Sequence, residues 1–391
     1  MPVQTQRPAQ PDSGRAYTKG LRWSGELRFL TFFLAILAYS LTGIHKSSAA
    51  TAEAITGNFY LQTLLCWIPL WAVCAVASLP VSVYRFYLGR KFQLVKSDVR
   101  RWLWDCFKAN ILAFVLGASI IEAAFSSNTL VPAYGWIVAG ILCSLLFVAV
   151  NRSMPWLLSL FYPVVPLPNL ALREKLLRLV AKANLRVGPI FEWRISTRTR
   201  AANALVAGVG SARRILLTDT LMSTLSDDEV EAIVAHELGH CALHHVRKRL
   251  LLQSLIFSAI FGVIHLAVRS DLVAFVDQNI GWKDPRLLPG FILYWNMAFI
   301  YGQMLLGAVS RRQERAADLY SWKLIGQAGP FISAMHKLTD LNLVVFDKDS
   351  EWKYMHPATA DRIAAAEQYA RAHGEAISTA SATVPVSSQG I

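Results

Sequence analysis

The chain has 391 residues, of which 54% are hydrophobic and only 17% charged, and its formal net charge is +13. A mean hydropathy of +0.36 argues against an ordinary soluble chain of two or three domains; apolar runs of membrane-spanning length explain it better. In such a chain the surplus of Lys and Arg points to cytoplasmic loops flanking a bilayer, not to a nucleic-acid partner.

In chain order, residues 1–28, rich in Pro, Gln, Arg and Ser, read as a disordered basic tail. Four candidate spans follow at 29–44, 59–84, 109–125 and 131–150, the second interrupted by Pro69 and Pro80. No cleavable signal peptide is evident. The stretch from Pro155 to Pro163 is apolar but too short to cross, which suits an interfacial position. Residues 151–374 read as a further domain, interrupted by a hairpin of two more spans at 250–268 and 287–309, and 375–391 as a second disordered tail. Arg7, Arg15, Lys19, Arg22 and Arg28 precede the first span, and a run of Lys and Arg from Arg85 to Lys108 separates the second from the third. The positive-inside rule then places both termini and the 151–249 region in the cytoplasm. The five cysteines form no C-x-x-C pair and suggest neither a disulfide framework nor a Cys metal site.

Within the 151–249 region, Leu172, Leu176, Leu179 and Val180 share one face of a helix predicted over 171–184. Short strands are predicted at 189–195, 204–209 and 214–217. Ser226-Asp227-Asp228-Glu229 is a capping box that opens the next helix. That helix is expected to run straight on into the fifth span.

It carries His236-Glu237-Leu238-Gly239-His240. Histidines four residues apart lie one turn apart on one face, where two imidazoles can bind one Zn²⁺, and Glu237 can act as general base on a water. The metzincin continuation fails, because Leu243 and Val246 stand where its Gly and third His belong. On a straight helix His244 would sit about 6 Å beyond His240 along the axis, too far to share one ion, so His244 and His245 suit hydrogen-bonding or membrane-edge roles. The other zincin solution takes a glutamate from a later helix. Glu314, just after the sixth span, is the candidate, with Asp318 one turn on to accept the outer N–H of a ligating histidine. The transmembrane hairpin would bring Glu314 back to the histidines. Gln253, His265, Asn296 and Gln303 are polar residues inside the last two spans, read as helix-to-helix hydrogen bonders.

Around these residues the sequence resembles the type I CAAX prenyl endopeptidases and the related HtpX-like membrane proteases. Four blocks carry the resemblance in the family's order besides the zinc motif. They are Asn203-Ala204-Leu205-Val206-Ala207-Gly208, Arg214 to Leu221, Ser310 to Asp318, and His356-Pro357-Ala358-Thr359-Ala360-Asp361-Arg362-Ile363. The resemblance implies a mainly α, multi-pass membrane protein with a cytoplasmic gluzincin domain containing a small β-sheet. It implies one Zn²⁺ per chain on His236, His240 and Glu314, with Glu237 activating the water and Asp318 supporting a ligand. It also implies that Asn203, Ala204 and Gly208 belong to an edge strand that pairs with extended substrate, and that His356 and Arg362 stabilise the oxyanion. The implied partners are the lipid bilayer and a peptide or protein substrate, lipid-modified or membrane-bound. The implied location is a bacterial inner or plasma membrane, or the endoplasmic reticulum in a eukaryote. The full prenyl-protease pattern has seven spans; six are readable here. Two substrate readings stand, prenylated C-terminal peptides and general cleavage of membrane proteins. A rival from another class is an inert scaffold or transporter that retains the protease fold.

Overall fold

The computed structural model describes residues 11–208, 212–270, 281–343 and 355–375. Residues 1–10 and 376–391, parts of the two expected tails, lie outside the described residues.

The N-terminal bundle comprises α1 (Pro11–Leu41), α2 (Ile44–Ile55), α3 (Phe59–Lys91), α4 (Val99–Leu130) and α5 (Gly135–Arg152), followed by the short α6 (Met154–Ser159). Residues 11–28 form the start of α1 and are not a disordered tail. Tertiary contacts explain the difference. Arg85 Nε donates to Ser24 Oγ at 2.9 Å, and the Tyr17 and Phe92 rings meet edge to face at 5.5 Å. At Gly20 a Cβ would lie 2.8 Å from the end of the Leu88 side chain, so α1 presses closely on α3 and a larger residue there would make Leu88 shift. Asn58 caps α3 by accepting from the Tyr60 and Leu61 amides, and Asp98 caps α4 through Arg101 N.

Then come β1 (Val164–Pro166), α7 (Leu170–Lys182), β2 (Ile190–Trp193), β3 (Ala204–Ala207), β4 (Arg214–Thr218), α8 (Asp219–Thr224), α9 (Asp227–Ala242), α10 (His245–Arg269), α11 (Leu288–Ile325), α12 (Gly329–Asn342) and α13 (Thr359–Ala372). Among the described residues, six helices are long and apolar enough to cross a membrane, α1, α3, α4, α5, α10 and the stretch Pro285–Ile325 that contains α11. Most run well past the apolar windows because backbone hydrogen bonding continues into water, where hydropathy no longer marks the helix. The membrane core is aromatic, with Phe125, Phe261 and Phe291 almost wholly buried. His265 Nδ1 bonds Asn128 Oδ1 on α4 at 2.9 Å, a link between helices, whereas Asn296 Nδ2 donates to Ile292 O within its own helix.

The sheet has the order β1-β2-β4-β3, with β2 and β4 parallel and the outer pairs antiparallel. β1 lay unseen in an apolar stretch containing prolines, which an edge strand tolerates. β3 is an edge strand, paired with β4 from Ala204↔Leu217 to Ala207↔Arg214. α7 buries Leu172, Leu176, Leu179 and Val180, the face its spacing predicts. α9 opens on the complete Ser226–Glu229 capping box and packs against sheet and α11 in a core that includes Val234 and Leu238. α9 does not continue into α10. His244 interrupts it with φ +56°, and α10 starts in a new direction at His245.

Candidate active site

α9 presents His236 and His240 one turn apart, and α11 crosses them closely. Gly239 makes this possible, since a Cβ there would stand 3.1 Å from Ala317 O and 3.2 Å from the Tyr320 ring. Ser321 Oγ donates to Ala232 O at 3.0 Å and locks the crossing. The same crossing brings Glu314 to the histidines. Its Oε1 lies 3.3 Å from His240 Nε2 and its Oε2 lies 3.4 Å from His236 Nε2, while the two Nε2 atoms are 3.2 Å apart. The three residues offer ligand atoms that all lie within 4.8 Å of one another.

The donor set fits a cation. Glu314 Oε2 is buried and accepts no well-directed hydrogen bond, although His356 Nδ1 stands 3.0 Å away. Two imidazole nitrogens that face each other beside a carboxylate present lone pairs that one cation between them would satisfy. His236 reflects this. Burial disfavours its charged form, yet the hydrogen bonds to Asp318 and Glu314 prevail and raise its pKa to about 9. Two imidazoles and one carboxylate form a zinc-type donor set with room for a further ligand.

The supporting residues are equally specific. Asp318, 2% exposed, takes His236 Nδ1 at 2.8 Å, which fixes the tautomer and turns Nε2 toward Glu314. Arg362 from α13 grips Asp318 with Nη2 at 2.6 Å and Nε at 2.9 Å, its guanidinium 5.5 Å above the Phe331 ring. Arg362 Nη2 is 3.8 Å from Glu314 Oε2. Arg362, expected as an oxyanion donor, lines the larger cavity while its Nε and Nη2 bind Asp318. His356 is different. Its side chain is 53% exposed and it lines the cleft.

Glu237, half-buried, faces two cavities of about 530 and 270 Å³ that share Asn203, Ala204, His236, Glu237, Glu314 and His356. Asn203 and Ala204 therefore sit where the edge of β3 meets the site. Asn203 is held by Thr218, whose hydroxyl accepts from Asn203 N at 3.0 Å. Gly208 lines neither cavity. Its φ of +90° and the Ala212 carbonyl, too close for a Cβ, make it a turn former at the end of β3. His245, expected in a hydrogen-bonding or membrane-edge role, has Nδ1 3.0 Å from His240 Nδ1, and Arg249 lines the smaller cavity. The break at His244 puts both there, and no local pattern announces a left-handed histidine.

The description Peptidase family M48 matches residues 166–370, and CAAX prenyl protease N-terminal, five membrane helices, matches residues 17–166. The chain belongs to peptidase family M48. It is a multi-pass membrane metalloendopeptidase with the fold expected from its motifs. It is 29% identical over 334 residues to the rice CAAX prenyl protease 1 homolog, covering 82% of this chain and 76% of that one. It is 26% identical to CAAX prenyl protease 1 of Saccharomyces cerevisiae, covering 77% and 71%. It is also 26% identical to the Bacillus subtilis metalloprotease YhfN, covering 87% and 80%. The crystal structure of S. mikatae Ste24p superposes with a TM-score of 0.79 at 22% identity, over 93% of this chain and 92% of that one, which shows a shared fold. The M48 N-terminal description counts five membrane helices. Among the described residues, four of crossing length precede the catalytic segments, and α2, with 12 residues, extends only about 18 Å, short of the ~30 Å hydrocarbon core.

Proposed function

We propose that this membrane peptidase is zinc-dependent and cleaves prenylated C-terminal peptides. The convergence of His236, His240 and Glu314 beside Glu237 carries the reading. Residues 151–374 form the catalytic unit, with the α10–α11 hairpin as its membrane anchor and the cleft on the cytoplasmic side. The basic loop from Arg85 to Lys108 supports that orientation. A bacterial inner membrane suits a chain related to YhfN.

A zinc ion on the three ligands would supply a Lewis acid that polarises the scissile carbonyl and acidifies a water. Glu237 takes the proton of the attacking water and delivers it to the leaving amine as the C–N bond breaks, so the base is regenerated. His356, the exposed partner of Glu314, turns its N–H to the carbonyl oxygen as negative charge builds. Asp318 and Arg362 hold His236 in the tautomer and orientation that ligation requires. The substrate backbone lies along β3 from Asn203 and Ala204, adding a strand to the sheet.

The relatives named as prenyl proteases support a prenylated substrate. The test is cleavage of a farnesylated peptide against its unmodified twin, with the Glu237→Gln variant as control. The expected outcome is preference for the farnesylated form, with Glu237→Gln retaining one zinc per chain and losing turnover. Equal cleavage of the two peptides would favour general proteolysis of membrane proteins. A protein that binds less than about one zinc and never cleaves would be an inert scaffold.

A further inference from the structure

An outward face of the membrane bundle combines charge with aromatic surface. Beyond the turn between α3 and α4, an open cavity of about 860 Å³ is lined by Asp98, Arg100, Arg101, Leu103, Trp104 and Phe107, all at the start of α4. The opposite face of the same turns is engaged. Trp102 stacks on Phe86 of α3 with ring centroids 4.7 Å apart. Asp105 accepts from Arg198 Nη1 at 2.5 Å and pairs with Lys108 Nζ at 2.9 Å. These contacts tie α4 to the segment before β3 and fix which way the cavity faces. Asp98 is committed as well: its Oδ1 accepts from Arg101 N at 2.7 Å, so the capped amide is not available to a ligand. Arg100 and Arg101 are exposed, and among the described residues neither guanidinium has a hydrogen bond or an ion pair.

The apolar part of this face places it at the bilayer edge. Leu103, Trp104, Phe107, Ile111 and Val115 recur at helical spacing, and each is 47–58% exposed. The stripe runs without a break from the cavity into the span of α4, one of the six helices of crossing length. Trp104 and Phe107 stack with centroids 5.3 Å apart, as suits rings where a span meets the headgroups. Arg100 and Arg101 precede Trp104 by one turn, about 5 Å along the axis. The headgroup layer on each side of a ~30 Å hydrocarbon core is roughly 5–8 Å thick, so the guanidinium groups stand at the height of lipid phosphates. A phosphodiester there meets two arginines, and its acyl chains meet rings and aliphatic side chains. A zwitterionic headgroup brings its own cation and loses most of that attraction. A free anion leaves the aromatic surface uncovered, and a soluble protein cannot follow the stripe into the bilayer.

We propose that the outer face of α4 from Arg100 to Val115 binds one acidic phospholipid of the adjoining leaflet, its phosphate between the two guanidinium groups and its acyl chains along Trp104, Phe107 and Ile111. Charge-assisted contacts select the headgroup, and the aromatic and aliphatic surface holds the chains. The site is independent of the metal and of the peptide substrate. It lies back to back with the Asp105–Arg198 link. Arg198 O accepts from Lys96 N at 2.7 Å, and Leu94, Val95 and Thr199 beside that link line the larger cavity. A lipid held here therefore packs behind the link that carries one wall of the cleft.

The experiment uses the full chain, delipidated in detergent and titrated with dioctanoyl phosphatidylglycerol or dioctanoyl phosphatidylcholine, with bound lipid counted by native mass spectrometry. An arginine at the membrane surface favours an acidic lipid about fivefold, so two should make phosphatidylglycerol bind about 25-fold tighter than phosphatidylcholine. In the double variant Arg100→Gln, Arg101→Gln that ratio should fall to near one, with phosphatidylcholine binding unchanged. Both side chains are exposed, so without lipid the variant should melt with the wild type. Added phosphatidylglycerol should raise the melting temperature of the wild type alone. The variant Arg90→Gln, Lys91→Gln removes the same charge from the end of α3 and should keep the preference. A wild type that binds the two lipids equally would overturn the proposal. So would an equal loss of preference in the α3 variant, since that marks diffuse surface charge and not a site. Glycerol phosphate and inorganic phosphate serve as competitors and should displace nothing at concentrations where the lipid saturates. Displacement by either would make this a free-anion site and sink the lipid assignment.

Discussion

Asp318 holds two partners that a metal site needs in opposite ways, and its neutralisation tests that balance. In Asp318→Asn the shape is kept and the charge removed. Arg362, with only 11% of its side chain exposed, then loses its carboxylate. Breaking a buried pair on one side typically costs about 3–5 kcal/mol, because the remaining charge is stranded. The 2.6 and 2.9 Å contacts place this pair at the strong end of that range. Separately, the 2.8 Å bond to His236 Nδ1 no longer selects the tautomer, and zinc affinity should fall about 10- to 100-fold. The two effects part company in the double variant Asp318→Asn, Arg362→Met. Stability should recover most of the loss, since no buried charge is left alone, while zinc affinity stays low. The assay is a double-mutant cycle of detergent-solubilised protein, read by thermal unfolding and by titration with a zinc-competing chelator. If the two substitutions prove additive in stability, within about 0.5 kcal/mol, the claimed coupling of Asp318 to Arg362 is wrong.

Other predictions follow from local geometry. Glu229, 5% exposed, bonds Ser226 N, Ser333 and Lys337 at 2.7, 2.6 and 2.8 Å. Burial alone would raise its pKa, but these partners bring it below the usual carboxylate value. Its contribution is therefore complete above the unfolded value, about 4.3, and is lost as pH falls through the lower folded value. Glu229→Gln should be less stable at neutral pH and should show a shallower acid limb in a melting-temperature series; an unchanged acid limb would contradict this. Gly239→Val must push α11 away from α9, and metal analysis should show zinc lost together with activity even though no ligand is altered. At His244, φ +56° is strained for a β-branched residue, so His244→Val should be about 1 kcal/mol less stable than His244→Gly in parallel melts.

Much of this protein was legible from residue order because its chemistry is local. Histidines at i and i+4, a capping box and runs of apolar residues depend on helical periodicity and hydropathy, and they identified the motif, the α7 face and six spans. Glu314 was reachable because a hairpin of two spans has a forced geometry, returning the chain to the side it left. The rest depended on contacts between distant segments. Residues 11–28 read as a tail by composition, yet the close fit of Gly20 against Leu88 and the Arg85–Ser24 bond fold them into α1. The straight helix expected through His244 fails because a single left-handed residue redirects it, and propensity gives histidine no reason to adopt that conformation. Arg362, which lines the larger cavity, is also bound to Asp318 by a fold that buries both, a pairing that residue order does not announce. Sequence alone therefore determined the fold class and singled out His236, His240 and Glu314, which the fold brings together, through helical spacing and the membrane's demand for apolar helices. Only the tertiary structure decided which cations meet carboxylates, as Arg362 meets Asp318 across 44 residues of chain, and which, like Arg249, line a cavity, because such pairing is a property of packing.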